Sequence, residues 1–161
     1  MSAVTIRQLL GSDRWILREA TLANMNWSRT RFTLDDVDAS PEISHYFTNF
    51  PSGADFGLAD DEGGVVKAVA WLVHFSADDP GYGFVDPETP ELSMTTFAAW
   101  RGLGIGSSLL SELISQARSR GVPAISLSVE DGNDARRQYE RAGFSRVGRN
   151  ASSDTMLLDL R

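Results

Sequence analysis

The chain contains no cysteine and only two histidines among its 161 residues. The absence of cysteine excludes disulfide bonds, thiolate metal sites and a reaction that passes through a cysteine acyl-enzyme. Two histidines, His45 and His74, leave few ligands for a zinc ion, so we expect no metal site. Taken singly, these histidines are interpreted as packing or surface residues rather than as catalysts.

Long apolar runs are also absent, and no secretory leader is readable in the sequence. The longest uncharged apolar run covers residues 68–73, far shorter than the roughly 20 residues that span a bilayer. Residues 1–10 include Arg7 and contain no extended apolar segment, so they do not resemble a signal peptide. We therefore expect a cytoplasmic protein without a membrane partner. Its length of 161 residues suits one domain over residues 1–161.

An excess of positive charge is absent as well. Lys and Arg number 15 against 22 Asp and Glu, which gives a net charge of −7. Proteins that bind duplex nucleic acid usually present a basic face, so nucleic acid is not an expected partner. An acidic surface suits a cationic substrate, although acidity also serves solubility alone.

The second half of the chain predicts a strand–helix–strand unit. Apolar residues recur at helical spacing over residues 104–120, and Gly121 and Pro123 end that helix. Residues 92–97 precede it as a strand, and the alternating residues 125–129 follow it as another. Two strands joined by one helix form a right-handed βαβ unit with parallel strands.

Shorter elements are predicted around this unit. Asp13 is expected to cap a helix that ends near Met25, and Ser40-Pro41 to begin a short helix over residues 42–50. Asn133 or Asp134 caps a later helix. The remaining predicted strands cover residues 4–10, 56–59, 65–75, 144–147 and 155–160, with a loop over residues 78–90. The fold class is α/β, with a mixed sheet that is antiparallel in its N-terminal strands and carries the parallel βαβ unit in its centre.

A glycine-rich loop joins the predicted strand to the long helix. Glycine lets a backbone approach a ligand closely, and the helix that follows presents unpaired N–H groups and its positive dipole end. A pyrophosphate group is the natural ligand of such a loop, although a tight strand-to-helix turn would use glycine too. The loop consists of Arg101, Gly102, Leu103, Gly104, Ile105, Gly106 and Ser107.

Several kinds of phosphate site compete for this loop. The Walker A motif is excluded because no Gly-Lys-Ser/Thr sequence follows. A dinucleotide fingerprint would need a glycine at Ser107, although Glu130 or Asp131 supplies the expected acidic residue. The loop of S-adenosylmethionine-dependent methyltransferases looks similar. Both of these loops normally open a fold, whereas this one begins past the midpoint of the chain.

The segment Arg101-x-x-Gly104-x-Gly106 resembles the coenzyme A pyrophosphate motif of the GNAT superfamily of N-acyltransferases, Gln/Arg-x-x-Gly-x-Gly/Ala. Downstream, Tyr139 followed by Gly143-Phe144 resembles the Tyr-x-x-x-Gly-Phe pattern of the same superfamily. With the order of the elements, this resemblance covers essentially the whole chain. It implies a GNAT-like fold and an enzyme that transfers acetyl from acetyl-CoA to a primary amine by direct attack in a ternary complex.

The resemblance also implies roles for single residues. The strand before the loop should diverge from its parallel neighbour, with the Met94 N–H near the acetyl carbonyl and Thr96 paired with the pantetheine amide. Tyr139 matches the general acid that protonates the departing thiolate, although its helical face would also suit a core residue. Arg101 is equally compatible with a phosphate contact and a structural role, and Asn133 with a cofactor contact and a helix cap. The implied cofactor-binding residues are Met94, Thr95, Thr96, Arg101, Gly102, Leu103, Gly104, Ile105, Gly106, Ser107 and Asn133.

The base that deprotonates the amine is left open. Glu91 is the candidate, but counting back from Arg101 places it one residue out of register, which a β-bulge would correct. Glu88, His74 or a chain of water molecules are alternatives.

The acceptor side carries no motif, and the resemblance implies only that the acceptor is a small-molecule or peptide amine. Trp27, Phe32, Tyr46 and Phe50 either line its pocket or form core, and core is the preferred interpretation. A homodimer is compatible with the sequence. The alternative functions are a non-catalytic CoA-binding sensor and a methyltransferase.

Overall fold

The computed structural model describes residues 5–161, and the strands within them form one seven-stranded mixed sheet. The strands are β1 (Ile6–Gln8), β2 (Phe56–Glu62), β3 (Val65–Val73), β4 (Glu91–Thr96), β5 (Ala124–Glu130), β6 (Ser145–Asn150) and β7 (Ser153–Asp159). Their order across the sheet is β1-β2-β3-β4-β5-β7-β6. Neighbours are antiparallel except β4 and β5, which are parallel. The predicted fold class is therefore confirmed.

Helices cover both faces of this sheet. The long helix over residues 105–119 packs on one face and contributes Leu109 and Leu113 to a core cluster with alternate residues of β2 to β5. The N-terminal helices pack on the opposite face, where Leu17 and Val37 join a second cluster. The helices are α1 (Arg14–Met25), α2 (Leu34–Ala39), α3 (Pro41–Ser44), α4 (Ile105–Ser119) and α5 (Ala135–Ala142), with 3-10 turns at Gly11–Asp13 and Ala98–Trp100.

Strand β3 explains why residues 68–73 form the longest apolar run. Its even-numbered residues, such as Leu72, contact the α4 side, and its odd-numbered residues, such as Trp71, contact the α1–α3 side. Both residues are fully buried. A central strand that is covered on both faces needs apolar side chains at every position rather than at alternate ones.

The helices of the N-terminal half differ from the sequence prediction in three places. Helix α2 was not predicted, although Thr33 and Asp36 cap it reciprocally. The helix expected over residues 42–50 ends at Ser44 and continues as turns. Asp13 does not cap α1 with its side chain, because its buried carboxylate accepts hydrogen bonds from the Leu10 N–H at 2.7 Å and the Arg7 guanidinium at 2.8 Å.

The remaining elements lie close to their predicted positions. Gly143 has a φ of +106° and ends α5 as expected. The first strand is shorter than the predicted residues 4–10, and Val4 lies outside the described residues. Within residues 5–161, none of the helices has both the length and the apolar character needed to cross a membrane.

Candidate active site

The sheet opens between β4 and β5. Their pairing is confined to Glu91 opposite Ser126, where the Ser126 N–H donates to the Pro90 carbonyl oxygen at 3.0 Å. On its other edge, β4 pairs with β3 from Glu91 through Thr96. The two parallel strands therefore diverge toward their carboxyl ends. This matches the expectation that the strand before the glycine loop separates from its parallel neighbour.

The backbone of β4 directs alternate groups into this opening. The Phe97 N–H donates to the Lys67 carbonyl oxygen at 3.0 Å, and the register from there back to Glu91 is unbroken. Backbone groups alternate in direction along an antiparallel pair. The N–H groups of Met94 and Thr96 consequently face away from β3 and toward the opening.

The glycine loop brings the start of α4 to the same opening. Gly102 and Gly104 have φ values of +76° and +79°, which glycine adopts most readily, and a Cβ at Gly104 would meet nothing within 4 Å. Gly106 has a different role, because a Cβ there would lie 2.7 Å from Thr96 Oγ1 and the Thr96 side chain would have to shift. The loop therefore combines a left-handed backbone with close packing of α4 on β4.

A cavity of about 810 Å³ lies between this loop, the end of β4 and the start of α5. Leu103 is the exception among the predicted cofactor-binding residues, since its side chain points to solvent with 65% of its surface exposed. The structure brings the others together, and the cavity is lined by Met94, Thr95, Thr96, Arg101, Gly102, Gly104, Ile105, Gly106, Ser107 and Asn133, together with Tyr139.

Several of these side chains have partners within the protein. Arg101 Nε donates to the Thr96 carbonyl oxygen at 3.1 Å, and Asn133 Oδ1 accepts from the Ala135 N–H at 3.0 Å. The buried Thr95 hydroxyl lies 2.6 Å from Asn24 Oδ1. These bonds join the loop to β4, cap the start of α5 and attach β4 to α1.

A second cavity of about 410 Å³ adjoins the first. Its floor contains Ser93 and Ser128 from the diverging strands, and its walls come from the end of α1, the loop over residues 78–90 and residues 150–153. The two cavities share Asn24, Trp27, Met94, Asn133, Ala135 and Tyr139.

Tyr139 lies at the border of these cavities. Its ring is partly buried and meets Phe144 edge to face, with 6.0 Å between the ring centroids. Burial raises the pKa of the Tyr139 hydroxyl to about 12, so this group is protonated at neutral pH. A protonated hydroxyl next to both cavities can donate a proton to a group held between them.

Glu91 lies in the wall of the second cavity with only 3% of its surface exposed. Its carboxylate accepts hydrogen bonds from the Tyr46 hydroxyl and from the Gly83 N–H. Burial raises the pKa of Glu91 to about 7, and both hydrogen bonds oppose that rise. The hypothesis of a β-bulge is wrong, because β4 pairs with β3 residue by residue. Without a bulge, the Glu91 side chain already lies on the side of the sheet that α1 to α3 cover, where it lines the second cavity.

The sequence analysis did not predict that several residues line the second cavity. Tyr46 was interpreted as core, yet it lines the cavity and contacts Glu91, whereas Phe50 does lie in the core. Arg31 and Glu130, which form an ion pair of 2.9 Å across the cavity wall, are 99 residues apart and carry no local motif. Among the residues described as lining either cavity, neither Glu88 nor His74 occurs.

Solved structures of other proteins share this fold. YncA from Salmonella typhimurium, described as a putative acetyltransferase with its cofactor acetyl-CoA, has a TM-score of 0.70 and 25% identity, over 99% of this chain and 95% of that one. Ribosomal-protein-alanine N-acetyltransferase from Brucella melitensis has a TM-score of 0.67 and 24% identity, over 96% and 98%. PaiA N-acetyltransferase from Thermoplasma acidophilum, solved with coenzyme A, has a TM-score of 0.67 and 16% identity, over 98% and 99%. The last two likenesses concern the fold alone.

One curated relative matches over a shorter segment. The [ribosomal protein bS18]-alanine N-acetyltransferase of Haemophilus influenzae is 35% identical over 60 residues. The match covers 37% of this chain and 41% of that protein, so it spans less than half of the relative's length.

A family model decides the classification. The acetyltransferase (GNAT) family model matches residues 21–144, which include the glycine loop, Tyr139 and both strands of the parallel pair. The family predicted from the two motifs is confirmed, and with it the acyltransferase class. This chain belongs to the GNAT family of acetyltransferases.

Proposed function

We propose that this protein transfers the acetyl group of acetyl-CoA directly to a primary amine within a ternary complex. The observation that carries the proposal is the meeting of two cavities at Met94 and Tyr139, between the diverging strands. One cavity contains the glycine loop, and the other contains the buried carboxylate of Glu91. Such a pair of cavities can hold a thioester and an amine side by side.

Acetyl-CoA occupies the larger cavity in this proposal. The pyrophosphate binds at the start of α4, where the N–H groups from Gly104 to Ser107 and the helix dipole favour an anion. The pantetheine arm continues along β4 and pairs with the N–H groups that Met94 and Thr96 direct into the opening. The solved relative from Salmonella typhimurium, which holds acetyl-CoA, supports this choice of ligand.

The transfer itself is a single displacement. The amine nitrogen attacks the acetyl carbonyl carbon, the C–N bond forms, the C–S bond breaks and the thiolate leaves. The Met94 N–H stabilises the negative charge that develops on the carbonyl oxygen. Tyr139 gives its proton to the thiolate, and the second proton that the attacking nitrogen loses as the amide forms returns to Tyr139. The chain has no cysteine that could hold the acetyl group, which favours direct attack.

Glu91 serves as the base. With a pKa of about 7 it is substantially ionised at neutral pH and can accept the proton that an ammonium acceptor must lose. Its Cα is about 10 Å from that of Met94, since a strand rises about 3.3 Å per residue. The carboxylate therefore receives the proton across the second cavity, through water where the acceptor does not reach it.

The acceptor is a small-molecule or peptide amine that carries polar groups near its amine nitrogen. The cavity has Ser93, Ser128 and Tyr82 for hydrogen bonding, and its Arg31–Glu130 ion pair is electrically balanced. A compact amine suits a volume of about 410 Å³. The curated relative from Haemophilus influenzae, whose name specifies a ribosomal-protein alanine, makes peptide N-termini a sensible part of the panel.

Two measurements test the proposal. Calorimetry with CoA, S-adenosylmethionine and NADH should show binding of CoA alone. Release of free thiol from acetyl-CoA, followed with a panel of amino acids, small amines and peptides with free N-termini, should rise with at least one amine. CoA binding without any acetylated amine would indicate a sensor, and binding of S-adenosylmethionine instead of CoA would overturn the cofactor assignment.

A further inference from the structure

We propose that Tyr46 is a positioning residue, which holds the Glu91 carboxylate in a fixed orientation and maintains it as a proton acceptor. This inference rests on the proposed function, in which Glu91 is the base. Tyr46 follows α3, and its hydroxyl contacts Glu91 Oε2 across 45 positions of sequence. Both side chains are buried in the wall of the acceptor cavity.

The direction of this hydrogen bond follows from its neighbours. The Tyr82 N–H donates to the Tyr46 hydroxyl oxygen at 2.7 Å. A phenol has a single proton, and with the oxygen already accepting from Tyr82 that proton is directed at Glu91. Tyr46 is therefore the donor, and it stabilises the ionised form of the carboxylate.

The other carboxylate oxygen is held by the loop over residues 78–90. The Gly83 N–H donates to Glu91 Oε1 at 2.5 Å. This contact depends on glycine, since a Cβ at Gly81 would lie 2.7 Å from Glu91 Oε1 and a Cβ at Gly83 would lie 2.5 Å from the Leu127 carbonyl carbon. Each oxygen thus has one donor, so the carboxylate cannot rotate without losing both.

Tyr46 is itself fixed by the surrounding elements. Trp71 of β3 donates its indole N–H to the Tyr46 carbonyl oxygen at 2.9 Å. The Tyr46 ring meets Phe75 edge to face at 5.0 Å and stacks on Tyr82 at 6.1 Å. Because Tyr46 is held by Trp71, Phe75 and Tyr82, its hydroxyl can keep its position when the Glu91 carboxyl group changes its charge.

The electrostatic consequence is a balance between burial and hydrogen bonding. Burial alone strongly favours the neutral form of Glu91, and the donors Tyr46 and Gly83 offset part of that effect, so that its pKa is about 7. Removal of the Tyr46 donor would leave burial less opposed and raise the pKa further. The other titratable or charged groups around this site are Tyr82 and the His45–Asp79 pair from the loop side, Glu42 of α3, and the Arg31–Glu130 pair near β5.

Tyr46→Phe tests this role, because it removes the donor and keeps the ring. The acid limb of the kcat/KM profile should move to higher pH by about one to two units, which is a 10- to 100-fold loss below the limb. Activity should recover at alkaline pH, and the KM for acetyl-CoA should stay within about twofold of wild type. A merely structural contact would lower the rate equally at every pH.

Asp79→Asn is the matched control. Asp79 contacts His45 at 2.9 Å and so joins the same loop to the same turn, without touching Glu91. This variant should keep the wild-type position of the acid limb. Site-specific replacement of Tyr46 by 3,5-difluorotyrosine, a stronger donor of the same shape, should move the limb to lower pH and covers the case in which Tyr46→Phe does not fold.

A direct titration separates this inference from the proposed function. The ¹³C resonance of the Glu91 carboxyl carbon reports its ionisation whether or not Glu91 acts as the base. An unchanged midpoint in Tyr46→Phe, or in the difluorotyrosine protein, would overturn the role of Tyr46. Wild-type turnover in Glu91→Gln would instead overturn the assignment of the base, while the carboxyl titration still decides the role of Tyr46.

Discussion

Gly106 lies so close to Thr96 that a Cβ on Gly106 would be 2.7 Å from Thr96 Oγ1. The third glycine of the loop thus favours close packing of α4 against β4, separately from any ligand. A substitution at Gly106 would combine a clash with a change in binding. Gly104 is the better position for a test, because a Cβ there meets nothing within 4 Å and only its φ of +79° matters.

Gly104→Asp should weaken CoA binding, and Gly104→Asn should weaken it much less. Asp and Asn both tolerate a positive φ better than other side chains, so the two variants make the same demand on the backbone. Only Asp places a negative charge beside the pyrophosphate, which we expect to reduce affinity at least about tenfold relative to Asn. Calorimetry with CoA measures the difference, and added salt should reduce it. Equal affinities in the two variants would contradict a pyrophosphate at this loop.

Tyr139→Phe should lower kcat by roughly 10²- to 10⁴-fold, the usual contribution of general acid catalysis. The phenyl ring keeps its edge-to-face contact with Phe144, so thermal stability should change little. Affinity for CoA should also persist, because the proposed contacts are mainly with the backbone. Single-turnover kinetics with saturating acetyl-CoA isolates the chemical step. A rate near that of the wild type in this assay would identify Tyr139 as a core residue only.

Glu91 should make the wild-type protein less stable as the pH rises from about 4.5 to about 7. Its pKa is raised from 4.5 in the unfolded chain to about 7 in the fold, so the folded state holds a proton that the unfolded state releases. The contribution of the Glu91 proton to stability is complete below the pKa of the unfolded chain and is lost as the pH rises through the pKa of the folded state. Denaturant titrations across this range measure it.

Glu91→Gln is the variant for that comparison. It cannot ionise, so this component of the pH dependence should disappear even if the loss of a hydrogen bond lowers stability at every pH. Identical slopes of unfolding free energy against pH in the two proteins would show that Glu91 ionises in the fold as it does in water.

Local features of the sequence determined the glycine loop and the Tyr139 motif, which form the proposed cofactor side of the site. The glycine loop, the helix that follows it and the Tyr139 motif lie within residues 101–144, and each depends on neighbours a few positions away. A positive φ, a helix terminus and a helical face are all set by local spacing, which is why they can be recognised in a single chain. Helix α2 was not predicted even though its signal is local, since Thr33 and Asp36 already form its capping pattern in the sequence.

The second cavity, the proposed acceptor side, was decided by tertiary structure alone. Tyr46 meets Glu91 across 45 positions, and Arg31 meets Glu130 across 99, through elements that pack on the same face of the sheet. No periodicity within one segment encodes such contacts, because they depend on the strand order and on the path of the loop over residues 78–90. The near-neutral pKa of Glu91 likewise arises from burial between β4, that loop and the turn after α3. The sequence by itself determined the family and the glycine loop through local backbone chemistry, and only the packing of distant segments placed a carboxylate and its hydrogen-bond donors in the second cavity.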